Sequence, residues 1–405
     1  MPEETTMRTP LRTITLIAIA LLAGALLAGC SSPSTDDGAE PTTTGGQTTH
    51  SGGSATSGSS TTKSNPYAPP SSTTQVYGSG ATFPKPLIES WGLQYNAEHP
   101  KVQVSYAGGG SGKGIADITN KDVLFAGSDA PMSPSDQAKT PGIMQFPETI
   151  GAIGVVYNAN GIQDGLKLDG ETLGKIYTGA VNHWNDAAIA ALNPGVTLPD
   201  AAIAVVYRSD SSGTTYVFTD YLGKASSTWA QAMGAAPSKK PDWTKSTATQ
   251  LSGAGNDGVG NTVKTTPNTI GYVELAYVNS LKLNSAMMKS HDGAYLKATT
   301  AGASAAAQEK AKGLPAPAGD WSAVSIVDAP GANSYPISSM TYILVYDSLA
   351  AYGGKPNTGA DNMQAFKAWM WWCLHDGQVY STALGYAPLP DSLVGIGETA
   401  LAQIH

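Results

Sequence analysis

The chain has 405 residues, too many for one ordinary domain, and a 41% hydrophobic content supplies a sizeable core. Only 13% of residues are charged, against about 25% in typical domains, and the net charge is −8. These figures exclude a nucleic-acid binder working through a basic surface. Two Cys exclude a disulfide scaffold, and a single long apolar run excludes a polytopic membrane protein.

The chain opens on a basic stretch with Arg8 and Arg12, followed by an apolar run from Ile14 to Gly29. A basic start, a short apolar run and small residues describe a secretory signal peptide over residues 1–29. The run ends Leu27-Ala28-Gly29-Cys30, which resembles the bacterial lipoprotein box. That resemblance implies cleavage before Cys30 and acylation of its thiol; the competing reading is an uncleaved anchor. Residues 30–75 then read as a tether. Ser (11), Thr (11), Gly (6) and Pro (5) make 33 of the 45 residues from 31 to 75, too little apolar surface to offset ordering entropy. The leader is neutral and the tether carries −2, which leaves −6 of the −8 on residues 76–405.

Within that body, short β-rich runs alternate with helical ones. Val102–Tyr106 reads as a strand and Gly114–Ile118 as the start of a helix. Ile153–Tyr157 and Ile203–Tyr207 read as strands, and Leu173–Tyr177 and Ala187–Leu192 as helices. The second helix is stopped by Asn193-Pro194-Gly195. Tyr342–Tyr346 reads as a buried strand, and Met363–Leu374 as a helix that Gly377 could close. Such alternation predicts an α/β fold with mostly parallel sheets. Cys373 and Trp369, Trp371 and Trp372 lie in the apolar run of the last helix and read as core.

Three glycine-rich turns carry hydroxyls: Tyr77–Pro84, Gly108–Gly114 and Tyr207–Thr215. Each precedes a helical pattern, so free N–H groups and the positive end of a helix dipole point into it. One such turn is an ordinary cap; three in one chain, with Arg208 inside one, indicate an anion site. Enzyme motifs fail here. A P-loop needs Gly at 107 and Ser or Thr at 114, where the chain has Ala107 and Gly114. A nucleophile elbow centred on Ser111 needs Gly at 113 and meets Lys113. The six His have no metal-ligand spacing. No cofactor and no metal are expected.

Five motifs occur in order: Gly78-Ser79-Gly80-Ala81-Thr82-Phe83-Pro84, Phe125-Ala126-Gly127-Ser128-Asp129-Ala130-Pro131, Arg208-Ser209-Asp210-Ser211-Ser212-Gly213-Thr214, Gly255-Asn256-Asp257-Gly258 and Ile270-Gly271-Tyr272-Val273-Glu274. Over residues 76–395 the chain resembles the substrate-binding protein family of the bacterial phosphate-specific ABC transporter. The resemblance implies a two-lobed periplasmic-binding-protein fold of type II-like topology. Each lobe would be a mostly parallel sheet flanked by helices, and two crossover segments near Ile153 and Tyr342 would join them. Lobe I would be residues 76–150 plus 336–405, and lobe II residues 151–335. The implied protein is a monomeric, non-enzymatic lipoprotein on the outer face of the cell membrane. It would bind inorganic phosphate and hand it to permease subunits, with no nucleic-acid partner. The other readings are a receptor for a different tetrahedral oxyanion and a secreted phosphoester hydrolase.

Carried over by motif position, the phosphate contacts are Thr82, the Phe83 N–H, Ser111, Asp129, Arg208, Asp210, Ser212, the Gly213 N–H and Thr214. Hydroxyls and N–H groups suit the acceptor oxygens, and a guanidinium forks onto two of them. Phosphate keeps a proton near neutral pH, so a carboxylate such as Asp129 can accept from P–OH. Fully ionised sulfate has no proton to give and would face Asp129 with negative charge. Asp210 would pin the Arg208 guanidinium, or else cap the following helix. Three positions depart from the family pattern. Lys113 replaces a small residue and reads as added cleft charge or a solvated surface Lys. Gly112 stands where relatives often carry a hydroxyl, and Ser211 where Gly is common.

Overall fold

The structure is a computed structural model that describes residues 63–405. The expected signal peptide, Cys30 and the tether up to residue 62 lie outside the described residues. In chain order the first elements are β1 (Thr74–Gly80), α1 (Lys85–Glu98), β2 (Val102–Gly108), α2 (Ser111–Thr119), β3 (Phe125–Ser128), α3 (Pro134–Gln137) and β4 (Ile143–Asn158). The middle holds β5 (Lys167–Leu168), α4 (Gly170–Thr178), α5 (Ala187–Leu192), β6 (Ala204–Arg208), α6 (Gly213–Ala225), α7 (Ser227–Met233), β7 (Thr249–Gly253), α8 (Gly255–Thr265), β8 (Thr269–Glu274) and α9 (Leu275–Leu281). The last are β9 (Asn284–Ser285), β10 (Met287–Lys289), β11 (Tyr295–Leu296), α10 (Thr300–Lys310), β12 (Ser338–Tyr346), α11 (Ala360–Leu374) and α12 (Asp391–Gln403).

The main sheet runs β2-β1-β3-β12-β4-β8-β6-β7, with β9 paired to β4. At one end β2, β1 and β3 are parallel; at the other β8, β6 and β7 are parallel. Between them β12 and β4 pair antiparallel with each other and with their outer neighbours. These two long strands belong to both ends. Fifteen of the sixteen residues of β4 are buried, and all nine of β12. Such continuous burial suits strands covered on both faces, even though polar residues such as Gln145, Glu148 and Thr341 lie within them. This is the α/β architecture with parallel strands at both ends expected from the sequence, and the strands expected near Ile153 and Tyr342 are β4 and β12.

Length is where the elements depart most from sequence expectation. The strand expected at Ile153–Tyr157 is only the second half of β4. Its first half contains Pro147, which cannot donate to a ladder, and sequence pattern reads Pro as a break. The sheet accommodates it with a bulge: Thr341 pairs with Thr149 and Tyr342 with Pro147, so Glu148 is the extra residue. α2 starts at Ser111, three residues before the expected Gly114, so part of the glycine-rich turn is already helix. α11 ends at Leu374 with His375 as its cap; Gly377 falls in the next 3-10 turn.

The expected tether boundary at 75 needs correction. β1 already begins at Thr74, and residues before it are tied to the body. Lys63 pairs with Glu398 at 2.6 Å, the Asn65 amide donates to the Ala368 carbonyl at 2.8 Å, and Tyr67 lies edge-on to Trp371. Tyr and Pro inside a Ser/Thr-rich stretch supply contact surface that average composition hides. The tryptophans of α11 are core, as expected. Trp369 is fully buried 5.3 Å from the Phe125 ring, and Trp372 packs edge-on to Tyr95. Cys373 is buried, and burial pushes its thiol well above the ordinary range.

Candidate anion-binding site

Four helix N-termini converge beside the β4–β12 pair. Thr82 and Phe83 precede α1, Ser111 opens α2, Ser212–Thr214 open α6, and Gly255–Asn256 open α8. The first N–H groups of each helix have no intrahelical acceptor. Their dipoles add partial positive charge where the loops meet. Nearly every side chain involved is buried. Ser111, Ser212, Thr214 and Asn256 show no exposed surface, Asp129 shows 2% and Arg208 3%.

The turn after β6 carries the cation. Arg208 donates from Nε to Asp210 Oδ1 at 2.8 Å and from Nη2 to Asp210 Oδ2 at 2.6 Å. This bidentate pairing occupies one edge of the guanidinium and leaves Nη1 directed to the Thr214 hydroxyl at 3.2 Å. Asp210 also accepts from the Gly255 N–H at 3.0 Å. Burial pushes the Asp210 carboxyl up, but hydrogen bonds and charge from Arg208 outweigh it and hold the group below its ordinary value. Asp210 therefore pins the guanidinium; the helix cap is Ser212, whose Oγ accepts from the Thr215 N–H at 3.1 Å.

Asp129, at the end of β3, has the opposite electrostatics. Burial raises its carboxyl to about 7, with Arg208 and Thr214 only partly opposing. Oδ2 accepts from Thr214 Oγ1 at 3.3 Å, whereas Oδ1 has no hydrogen-bond partner and no solvent contact. Its backbone N–H donates to Ser111 Oγ at 3.1 Å, which locks the carboxylate beside the start of α2. Gly213 is required by close approach: a Cβ there would lie 2.2 Å from Ser111 Oγ and 2.7 Å from Asp129 Oδ2. Gly110, at φ +90°, would place a Cβ 2.2 Å from Asp210 Oδ2.

All nine side chains or N–H groups expected from the sequence thus lie in this one region. Thr82 and Phe83 are fixed through their carbonyls, which accept from the Tyr277 and Tyr386 hydroxyls, each at 2.7 Å. Sequence reasoning missed Asn256. Its N–H and Nδ2 both donate to Thr82 Oγ1, at 3.1 and 3.0 Å, and Nδ2 also reaches Thr214 Oγ1 at 3.2 Å. The motif Gly255-Asn256-Asp257-Gly258 was the available signal, but only the fold shows that this turn opens a fourth helix into the same place.

The three departures find explanations. Lys113 pairs with Asp117 one turn along α2 and is half exposed, so it is a solvated surface lysine. Gly112 and Ser211 are complementary. A Cβ at Gly112 would lie 2.4 Å from Ser211 Cβ and 2.3 Å from its Oγ, and the Gly112 N–H donates to the Ser211 carbonyl at 2.9 Å. A side chain on one turn fills the space left by its absence on the other, and Ser211 needs no positive φ to do so.

A family described as PBP superfamily domain matches residues 65–372. The chain is 35% identical over 341 residues to a phosphate-binding protein PstS of Xylella fastidiosa, covering 82% of this chain and 87% of that one. It is 36% identical over 349 residues to a phosphate-binding protein PstS of Methanocaldococcus jannaschii, again covering 82% and 87%. Among solved structures it resembles a high-affinity periplasmic phosphate-binding protein (PfluDING) bound with phosphate. The TM-score there is 0.62 and the identity 20%, with 79% of this chain and 92% of that one covered. The phosphate-binding protein of Stenotrophomonas maltophilia aligns with a TM-score of 0.60 at 20% identity, over 80% and 92%. The chain belongs to the phosphate-binding protein family of the PBP superfamily.

Proposed function

We propose that this protein binds inorganic phosphate between its two lobes, without turnover, and delivers it to the permease subunits of an ABC transporter. Residues 76–150 with 336–405 form one lobe and residues 151–335 the other. Thr82, the Phe83 N–H, Ser111, Asp129, Arg208, Ser212, the Gly213 N–H and Thr214 take the ligand, with Asp210 orienting Arg208. The protein acts extracytoplasmically as a monomer, held to the outer face of the cell membrane through acylated Cys30. Curated relatives named as phosphate-binding proteins support this reading. No helix among the described residues is long and apolar enough to cross a membrane.

The observation that carries the reading is Asp129 Oδ1. A buried carboxylate oxygen without a partner, set among helix N-termini and a guanidinium, is an acceptor in a place built for an anion. Only an anion that still owns a proton satisfies both halves. The test is calorimetry with phosphate and with sulfate near neutral pH. Tight phosphate binding with sulfate weaker by at least about a hundredfold is expected. Equal affinities would transfer the assignment to a general oxyanion receptor, and steady turnover of a phosphoester would transfer it to a hydrolase.

A further inference from the structure

Near Asp129 lies a second buried carboxyl, Glu148, that the site as described does not use. Glu148 is the bulged residue of β4, and the bulge exists because Pro147 interrupts the ladder at that point. Bulges re-aim side chains, and this one turns a carboxyl into the core rather than toward water. Glu148 has no exposed surface, and its Oε2 has no partner. Its Oε1 lies 3.0 Å from the Thr341 hydroxyl, which is itself fully buried. The register of β12 with β3, Tyr342 opposite Ser128, sets Thr341 beside Asp129, while its hydroxyl is hydrogen-bonded to Glu148 and Asp129 Oδ1 stays without a partner. One hydroxyl therefore stands between two buried carboxyls.

Charge counting decides their states. Among the described residues, Tyr106 from β2, Cys373 from α11 and Asp129 are the titratable groups that face Glu148, and none is a cation. Arg208 faces Asp129, together with Asp210 and with Glu274 from β8. Arg208 is already bonded to Asp210. Two carboxylates sharing a dry space with one guanidinium do not both ionise; the one nearer the cation does.

We propose that Glu148 is a positioning residue of the anion site: held as a neutral acid, it donates to the Thr341 hydroxyl, frees that proton for Asp129 and so keeps Asp129 the ionised member of the pair. This rests on the reading of the site as a phosphate site. An ionised Glu148 would instead accept from Thr341, withdraw the donor from Asp129 and place a second uncompensated negative charge near the bound anion. Phosphate capture is then limited on the alkaline side by the protein as well as by the ligand. Burial, the largest cause, raises Glu148 to about 8, which puts the limit within reach of measurement.

The experiment compares phosphate affinity of the full chain and of Glu148→Gln by calorimetry between about pH 6 and about pH 9.5. Gln carries the hydrogen-bonding pattern of the neutral acid and cannot ionise. Both proteins meet the same ligand ionisation, so the ratio of their affinities isolates Glu148. The wild-type affinity is expected to fall relative to the variant by about tenfold between pH 7 and pH 9.5, with the two close together below pH 7. Thr341→Val should raise the pH at which Asp129 takes up its proton, read as an earlier loss of phosphate-over-sulfate selectivity on acidification. A wild-type to Glu148→Gln ratio that stays constant with pH overturns the proposal while leaving phosphate binding intact. Absence of phosphate binding by the wild type at any pH overturns the functional reading and this one with it. Should Glu148→Gln fail to fold, Glu148→Met, equally unable to ionise but without a donor for Thr341, should bind phosphate more weakly than the wild type below pH 7 and show the same drift of the affinity ratio with pH; a constant ratio overturns the proposal.

Discussion

The turn after β6 and the end of β3 each bring an aspartate to the same anion site, and the two groups are tuned in opposite directions. Asp210 is partly exposed, bonded through both oxygens to Arg208 and to the Gly255 N–H, and is held below its ordinary value. Asp129 is buried, shares Arg208 only at a distance, and is pushed up to about 7. The first spends its charge on a protein partner; the second keeps an acceptor oxygen unspent. Residue type therefore says little about role here. The number of donors already committed to each carboxylate separates a clamp on the cation from an acid that keeps an acceptor oxygen free.

Removing the guanidinium that both aspartates share is expected to have the largest effect. Arg208→Ala should weaken phosphate by about a thousandfold, since losing one member of a buried charge pair costs about 3–5 kcal/mol. A loss below about tenfold would break the comparison, because the cation would then be irrelevant to either acid. Splitting the pair sharpens it. Asp129→Asn should raise sulfate affinity by about tenfold to a hundredfold, its amide donating where the carboxylate repelled. Asp210→Asn should instead lower both affinities and leave their ratio alone, because it loosens Arg208 without touching the proton test. Parallel sulfate and phosphate titrations of the two variants read this directly.

The pH dependence follows with its sign. Asp129 titrates at about 7 in the fold, above its ordinary 3.8, so the folded protein holds its proton more tightly than the unfolded chain does. Stability from this group is fully present below about pH 4 and is lost as pH rises to about 7. Asp129→Asn should therefore raise Tm more at pH 8 than at pH 4, by roughly 3 °C or more. In binding, the protonated acid becomes a donor, so phosphate-over-sulfate selectivity of the wild type should shrink as pH falls from about 8 to about 6. The asparagine variant should show no such shift.

Smaller effects belong to the contact between the α2 and α6 turns. Gly112→Ala places a Cβ 2.3 Å from Ser211 Oγ. It should weaken phosphate binding by about tenfold, in the range of a modest overpacking cost. The double variant Gly112→Ala/Ser211→Gly should recover most of that loss. Lys113→Ala should change phosphate affinity by less than about twofold, as an exposed i,i+4 pair contributes little.

Much of the site was legible before the fold. Hydroxyl and glycine residues ahead of helical patterns mark N-termini, and Arg208 and Asp129 stand out because charge is scarce in this chain. Asn256 and Glu148 were not legible. Asn256 acts through a helix start that no local pattern ties to the other three. Glu148 is one acid among 31 Asp and Glu until the β-bulge buries it near Asp129. The same limit appears in β4, where Pro147 reads locally as a strand breaker and is tolerated only because the partner strand absorbs an extra residue.

By itself, then, the sequence determined the alternating α/β pattern, the family and the set of donors, since these depend on local propensity and residue chemistry. It also determined that an acidic chain must attract an anion locally, through one guanidinium and aligned N–H groups rather than a positive surface. Only the tertiary structure decided which acid clamps Arg208, which one keeps an acceptor oxygen without a partner, and which is buried against Thr341. Those roles arise from burial and from distances between strands remote in sequence, and electrostatic energy in a dry interior depends on both.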